Sequence, residues 1–387
     1  MELDYGLTED QLMVREVARK VAEEKVAPVA LACDEKEELP WDVVKAIADS
    51  DLCGVYIPEE YGGMGGDSPA LNMCIVTEEL SKACGGIALS FAASALGALP
   101  IIIGGSDDLK KRYLPDIASG KKLAGFAVTE PDSGSDVAAI RLSAVKDGDD
   151  YVLNGVKHFI SNGGAAETYS VFAVTNPAKG ARGATGFVVE KGMDGFSFGK
   201  KEHKMGIRAN PTAELVFQDC RVPAENVIGK PGRGFMIAMQ TFDMSRPGVG
   251  AQALGIAAGA LDYATRYARD RNMFGQPIWQ HQGVGFKLAD MAIKVEAARS
   301  LIYAVARALD SGMKRPTKYS AIAKTFASDI AMEVTTEAVQ VLGGFGYMRE
   351  YPLEKMMRDA KITQIYEGTN EVQRDEIARQ LVKEAAG

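Results

Sequence analysis

The sequence predicts an α+β multidomain chain in three parts: a helical domain over 1–122, a β-sandwich or barrel over 123–232, and a four-helix bundle over 233–387. Three observations carry that expectation. In the first part apolar residues recur at i, i+3, i+4 and i+7. In the middle, short β-branched and aromatic runs alternate with turn dipeptides. In the last, long apolar stripes return at steps of three and four, as in packed antiparallel helices. The 387 residues are 47% hydrophobic and 25% charged, enough apolar material for several cores.

Taken in order, Thr8-Glu-Asp-Gln11 reads as a capping box, followed by Val14, Val17, Ala18 and Val21 on one helix face. The loop from Pro58 to Gly66 breaks the helices with clustered glycines. Residues 83–106 carry no charge, a length at which a membrane span must be weighed. Six glycines or prolines and three serines in that stretch favour a helix buried in a protein core, and no transmembrane segment is expected. Lys110 to Leu114 reads as an exposed helix face.

Strands are expected at Tyr151–Leu153, Tyr169–Val174, Gly186–Glu190 and Ala213–Phe217. The turns between them are read at Asp147-Gly148, Asn154-Gly155, Asn162-Gly163 and Lys191-Gly192. Beyond 233, Leu288, Met291, Val295, Ala298, Ile302, Val305 and Leu309 form a sustained stripe that stops at Asp310-Ser-Gly312. A second stripe is Ile322, Phe326, Ile330, Val334 and Ala338.

The charge sum, 44 − 52 = −8, speaks against a generally basic nucleic-acid binder. Five scattered cysteines form no C-x-x-C pair and read as reduced thiols. Three histidines show no ligand spacing, so no metal centre is expected. The acidic start, Met1 to Tyr5, resembles neither a signal nor a transit peptide, and a cytoplasmic location is expected. The P-loop, the H-E-x-x-H zinc helix, the EF-hand loop and G-x-S-x-G are missing. Gly248-Val-Gly250 is the nearest approach to a dinucleotide turn, and it opens a helix without following a strand.

Three segments bear on chemistry. Phe126 to Asp136 runs from a strand into a loop dense in hydroxyls and carboxylates. Alone it is either a polar turn cap or a set of donors to a phosphate or a flavin edge. Gln340-Val-Leu-Gly-Gly-Phe-Gly-Tyr347 is a helix C-cap, or bare backbone that lets a pyrophosphate approach. Tyr366-Glu-Gly-Thr-Asn370 is an ordinary surface turn, or a desolvated carboxylate raised toward use as a base.

Together and in this order, with Arg271-Asn-Met-Phe-Gly275 and Arg358-Asp359, these segments resemble the acyl-CoA dehydrogenases of short- and medium-chain type over essentially the whole chain. The resemblance implies FAD, an acyl-CoA substrate, an electron-transferring flavoprotein as partner, a homotetramer, and a role in fatty acid or carboxylic acid degradation. It implies that Glu367 removes the α-proton while flavin N5 takes the β-hydride. It assigns cofactor contacts to Phe126, Val128, Thr129, Ser135, Phe159, Ile160 and Ser161, and to Thr369 and Glu371 beyond the base. Arg271, Phe274, Gln282, Gln340, Leu342, Gly343 and Gly344 are implied to reach the FAD of a neighbouring subunit. Ser135, Asp243, Ser245, Arg246, Tyr366 and Gly368 resemble acyl-CoA contacts.

Phe159-Ile-Ser161 departs from the Trp-Ile-Thr of many relatives, losing an indole N–H but keeping an aromatic face and a hydroxyl. Ser245 stands where some members carry a helix-borne base, which leaves that role to Glu367. The pocket floor is expected around Leu89 to Ser94, with Phe91 and Leu89 shortening it. The absence of arginine between 83 and 106 disfavours a dicarboxylyl substrate. Short straight, branched and alicyclic acyl groups remain open. Two rival readings stand beside dehydrogenation: an enoyl-CoA reductase on the same scaffold, and a non-catalytic acyl-CoA-binding flavoprotein, which loss of the base would mark.

Overall fold

The structure, a computed structural model, describes residue 3 and residues 5–386; Met1, Glu2 and Asp4 of the acidic start lie outside the described residues. Six helices come first: α1 (Glu9–Val21), α2 (Ala30–Lys36), α3 (Trp41–Asp49), α4 (Pro69–Ala83), α5 (Gly85–Gly104) and α6 (Asp107–Ala118). The strands are β1 (Ala124–Ala127), β2 (Ser143–Asp147), β3 (Asp150–Ser161), β4 (Thr168–Val174), β5 (Ala184–Glu190), β6 (Phe196–Lys201), β7 (Thr212–Pro223) and β8 (Val227–Ile228). Then come α7 (Gly234–Asp270), the small ribbon β9 (Asn272–Met273) and β10 (Gln276–Pro277), α8 (Gln282–Asp310), α9 (Thr317–Leu342), α10 (Leu353–Ile362) and α11 (Asn370–Ala385).

The capping box forms: Gln11 N–H donates to Thr8 Oγ1, and Thr8 N–H to Gln11 Oε1. Lys111 and Arg112 of α6 are exposed, but Tyr113 and Leu114 are buried. Five successive residues pass right around a helix, so they cannot share one face.

Helix α5 is long and apolar enough to cross a membrane by composition, yet 78% of its apolar window is buried inside the fold. It lies against the sheet, and its small residues permit the contact. A Cβ on Gly97 would stand 2.6 Å from the Gly125 nitrogen of β1. Ser170 Oγ donates to the Gly97 carbonyl at 2.7 Å, and Ser94 Oγ accepts from Ala124 N–H at 3.2 Å. The serines therefore knit an otherwise apolar helix to strand backbone.

The eight strands form one sheet in the order β6-β7-β3-β2-β4-β5-β8, with β1 parallel to β4. Asp147-Gly148, Asn162-Gly163 and Lys191-Gly192 lie at strand ends, as read. Asn154-Gly155 does not make a turn: it sits inside β3 at a register shift against β7. Gly155 takes φ 137° there, and the Asn154 side chain bonds both the N–H and the carboxylate of Asp219 across the bulge.

In the bundle, Met291, Val295, Ala298, Ile302, Val305 and Leu309 are buried along α8. On α9, Ile330, Val334 and Ala338 are buried, but Phe326 is exposed; Ala323 and Ala327 take the inward positions. A row of every fourth residue drifts about 40° per step on a 3.6-residue helix, so the stripe winds off the core. Gly248-Val-Gly250 lies in the middle of the 37-residue α7, not at its start. The glycines of α7 serve packing: a Cβ on Gly255 would meet the Glu78 carbonyl oxygen at 2.3 Å, and one on Gly259 the Lys82 carbonyl oxygen at 2.2 Å. Helices α4 and α7 thus touch backbone to backbone.

Gly255→Ala should force these helices apart and destabilise the protein by about 1–3 kcal/mol, seen as a lower thermal midpoint. Gly283→Ala on α8, whose Cβ would meet nothing within 4 Å, should not lower it; equal midpoints for the two variants would contradict the backbone contact.

Candidate functional site

A cavity of about 830 Å³ opens between the sheet edge, α4, α5, α7 and the turn before α11. Its first wall is the end of β1 and the loop beyond it, with Phe126, Val128, Thr129 and Ser135 lining the space. That loop is held from below. Lys157 of β3 is fully buried and donates to the Val128 carbonyl at 2.9 Å and to Glu130 Oε1 at 2.7 Å. Glu130 also accepts from the backbone N–H groups of Arg141 and Leu142. Burial pulls the Lys157 ammonium down to about 8, against the raising effect of Glu130.

The second wall is Phe159, Ile160 and Ser161 at the end of β3. Phe159 takes φ 57°, a left-handed backbone that bulky residues avoid, and its side chain stands 60% exposed. The His158 N–H donates to the Thr129 carbonyl at 2.8 Å, so the two walls are stitched together. Asn162 follows, fully buried. Its amide donates to Ser90 O, Ser94 Oγ and Ala124 O, and its side-chain oxygen accepts from Asn210.

The third side is α7, which presents Asp243, Ser245 and Arg246. Arg246 pairs with Asp243 at 3.3 Å, and its buried Nε has no protein partner. Thr317 Oγ1 donates to the other Asp243 oxygen at 2.7 Å.

The fourth side is the turn after α10, where Tyr366, Glu367 and Gly368 line the cavity. Glu367 and Gly368 both take positive φ, 53° and 92°. A glutamate in that region is an observed outlier that costs about 1–3 kcal/mol and often marks a functional turn. The Glu367 N–H has no partner among the described residues. Its carboxylate accepts from Ser245 Oγ. Burial raises this carboxyl above the ordinary glutamate value, while Ser245, Arg246 and Lys324 pull it back down. Tyr366 OH donates to Gln252 Oε1.

Thirteen of the residues singled out from the sequence therefore share one cavity. Nine do not. Thr369 instead caps α11 through the Val372 N–H, and Glu371 is exposed beyond it. Arg271, Phe274, Gln282, Gln340, Gly343 and Gly344 are exposed elsewhere, with Leu342 buried beside them. The Arg271 guanidinium lies 5.5 Å from the Phe345 ring, so the loop after α7 and the glycine cap of α9 meet on that surface.

Leu89, Ala92 and Ala93 line the cavity as expected, but Phe91 does not. It points from the other side of α5 and packs against Tyr56. Met73, Thr77, Leu96, Val249 and Gln252 complete the inner end and were not singled out, because each looks like core at helical spacing. His158, Glu202 and Glu214 bring ligand-type atoms within 4.8 Å of one another, a grouping that sequence separation concealed.

Family profiles match along the chain: acyl-CoA dehydrogenase N-terminal domain over 8–121, middle domain over 125–220, and C-terminal domain over 232–382. The short-chain-specific acyl-CoA dehydrogenase of Clostridium acetobutylicum is 47% identical over 96% of this chain and 98% of its own length. Butyryl-CoA dehydrogenase from Megasphaera elsdenii superposes with a TM-score of 0.95 at 46% identity, covering 98% of this chain and all of that one. A chain solved in work on the electron transferring flavoprotein of Acidaminococcus fermentans gives the same TM-score at 48% identity, covering 98% and 99%.

Lys157→Met would leave Glu130 buried without its cation and should cost about 3–5 kcal/mol. The double variant with Glu130→Gln should recover much of that loss in thermal denaturation; strictly additive losses would show the two residues to be uncoupled.

Proposed function

This chain belongs to the acyl-CoA dehydrogenase family of FAD-dependent oxidoreductases, and we propose that it converts a short-chain acyl-CoA thioester to the 2-enoyl-CoA with Glu367 as the base. One observation carries this reading: Glu367 is a carboxylate on a left-handed turn, raised by burial, with its own N–H free beside it. A thioester α-proton is weakly acidic. Removing it needs a base of raised basicity and donors for the negative charge that develops on the thioester oxygen. Glu367 offers both, the carboxylate as acceptor and the backbone N–H as donor.

The first two walls of the cavity suit a flavin. Phe159 presents an unburied aromatic face, and Thr129, Ser135 and Ser161 add hydroxyls around it. FAD held there would supply the acceptor for the β-hydride. The protein's part is to hold the acyl chain, keep water from the reacting carbons and receive the α-proton at Glu367. Arg246, with its unsatisfied Nε, is the cation facing the base. The exposed group around Arg271, Phe274, Gln282, Gln340 and Gly343–Gly344 serves the FAD of a neighbouring subunit in a tetramer.

A short acyl group is favoured. Met73, Leu89, Ala92, Ala93, Leu96 and Val249 give the inner end an apolar lining, and the cations on the cavity wall, Arg246 and Arg379, stand on α7 and α11 rather than α5. A distal carboxylate held there would be buried without a partner. The named short-chain and butyryl relatives support the same size class. An electron-transferring flavoprotein is the acceptor we assign, supported by the Acidaminococcus chain.

Anaerobic titration with butyryl-, branched-chain, glutaryl-, cyclohexanecarbonyl- and octanoyl-CoA should bleach the flavin band best with a short monocarboxylyl thioester; preferential bleaching by glutaryl-CoA would overturn the pocket assignment. Glu367→Gln should retain FAD and bind butyryl-CoA but lose turnover by about 10²-fold or more. Ser245→Ala removes a bond that favours the ionised carboxylate, so the Glu367 pKa should rise further. Activity needs that carboxylate ionised, so the acid limb of the pH–rate profile should move to higher pH, by about one unit. A limb that stays in place would separate Ser245 from the base.

A further inference from the structure

Behind the Glu367 turn, on the side away from the cavity, lies a fully buried lysine, Lys324 of α9. Its ammonium donates to the Gly368 carbonyl at 2.9 Å and to Asn370 Oδ1 at 2.8 Å. Both acceptors are neutral, and Lys324 makes no direct ion pair among the described residues. Asn370 is itself fixed by Ser328 Oγ and Asp329 Oδ1, each 2.8 Å from its amide. Gln373 of α11 donates to the carbonyls of both Glu367 and Gly368 at 3.0 Å. The two peptides following the base are thus gripped from below.

A buried ammonium on neutral acceptors is a poor device for stability alone, since an apolar side chain of similar volume avoids its desolvation cost. What the charge adds is its field at Glu367. We propose that Lys324 is a positioning residue for the base: it pins the Gly368 carbonyl, so holding the Glu367 turn in its left-handed form, and sets a positive charge behind a carboxylate that must stay ionised. The proposal rests on Glu367 being the base.

The surrounding charges are few. From α7, Ser245 bonds Glu367, and Arg246 faces it while pairing with Asp243. From α11, Asp375, Glu376 and Arg379 line the same cavity, with Tyr366 on the turn itself. Around Lys324 the charged groups are Glu367, Arg246, Asp329 and Glu371. Burial draws the ammonium down to about 7, so its charge is present on the acid side and fades as pH rises past neutral. It therefore acts over the range where a raised carboxyl would otherwise take up a proton, and Glu367 stays ionised to lower pH than it would alone.

The test uses holoenzyme with 3-thiabutanoyl-CoA, a thioester with an α-proton but no β-hydride to lose. Its long-wavelength charge-transfer band reports α-deprotonation, and the pH dependence of the band reads the base. Lys324→Met should keep FAD and bind the probe within about threefold, but move the acid limb of the band up by about one pH unit and slow flavin reduction by butyryl-CoA about tenfold at pH 6.5. Lys324→Gln, which keeps a donor for the Gly368 carbonyl without the charge, should restore the rate at alkaline pH and leave the limb displaced. An acid limb that stays in place in both variants overturns the proposal. Loss of FAD or of the fold in both also overturns it, by assigning Lys324 to stability. A band that survives Glu367→Gln refutes the base assignment itself, and the proposal with it.

Discussion

The buried amide of Asn162 is the contact that ties the helical domain to the sheet and on which the cavity between them depends. It bonds Ser90 and Ser94 of the uncharged helix, the Ala124 carbonyl of the first strand, and Asn210 on the approach to β7. For a side chain buried from solvent each of these bonds counts, since a lost partner leaves a polar group stranded. The side chain stands one residue beyond Ser161, so the strand end that lines the cavity is fixed against the helical domain by the same group. Its φ of 58° is a conformation that asparagine accepts more readily than most residues. Fold and site geometry are set at one point.

The cavity repeats this economy with charge. Lys157 with Glu130 and Lys324 with the Gly368 carbonyl each place a cation beneath a segment that lines the space, while Arg246, paired with Asp243, stands on the cavity wall itself. None of the three is an exposed surface pair, whose worth would be small. Lys157 and Lys324 each brace a loop or turn from behind and leave its lining side free. At Glu367, as at Asp243, burial wins over the neighbouring partners and raises the carboxyl.

The three-part architecture was legible because its periodicities are long and distinct: the α8 stripe is buried almost throughout, and the strands fall where aromatic and β-branched runs lie. What failed were inferences from short dipeptides and single rows. Asn154-Gly155 looks like a turn but is a bulge, since a glycine serves both and only the partner strand decides. Gly248-Val-Gly250 looks like a helix start, but its glycines answer to neighbouring helices that sequence does not display. The cavity-lining residues carried by polar motifs, Thr129, Ser135 and Glu367, were legible through those motifs. Met73, Thr77 and Gln252 were not, because a residue on a helix face gives no local sign of which helix it meets. Lys324 was hidden for the opposite reason: a lysine reads as surface, and its burial is a tertiary fact.

The backbone contact of α4 with α7 at Gly255 and Gly259 also limits how this protein can change. Two helices that meet through carbonyl oxygens and bare α-carbons lose stability when side-chain volume is gained at those positions, so widening the inner end of the cavity by moving these walls is costly. Drift in substrate preference must pass through the few side chains that project into the space, such as Met73, Leu89 and Leu96. The frame that makes the site rigid also channels its divergence: descendants would inherit an almost unaltered scaffold and differ in a handful of lining positions.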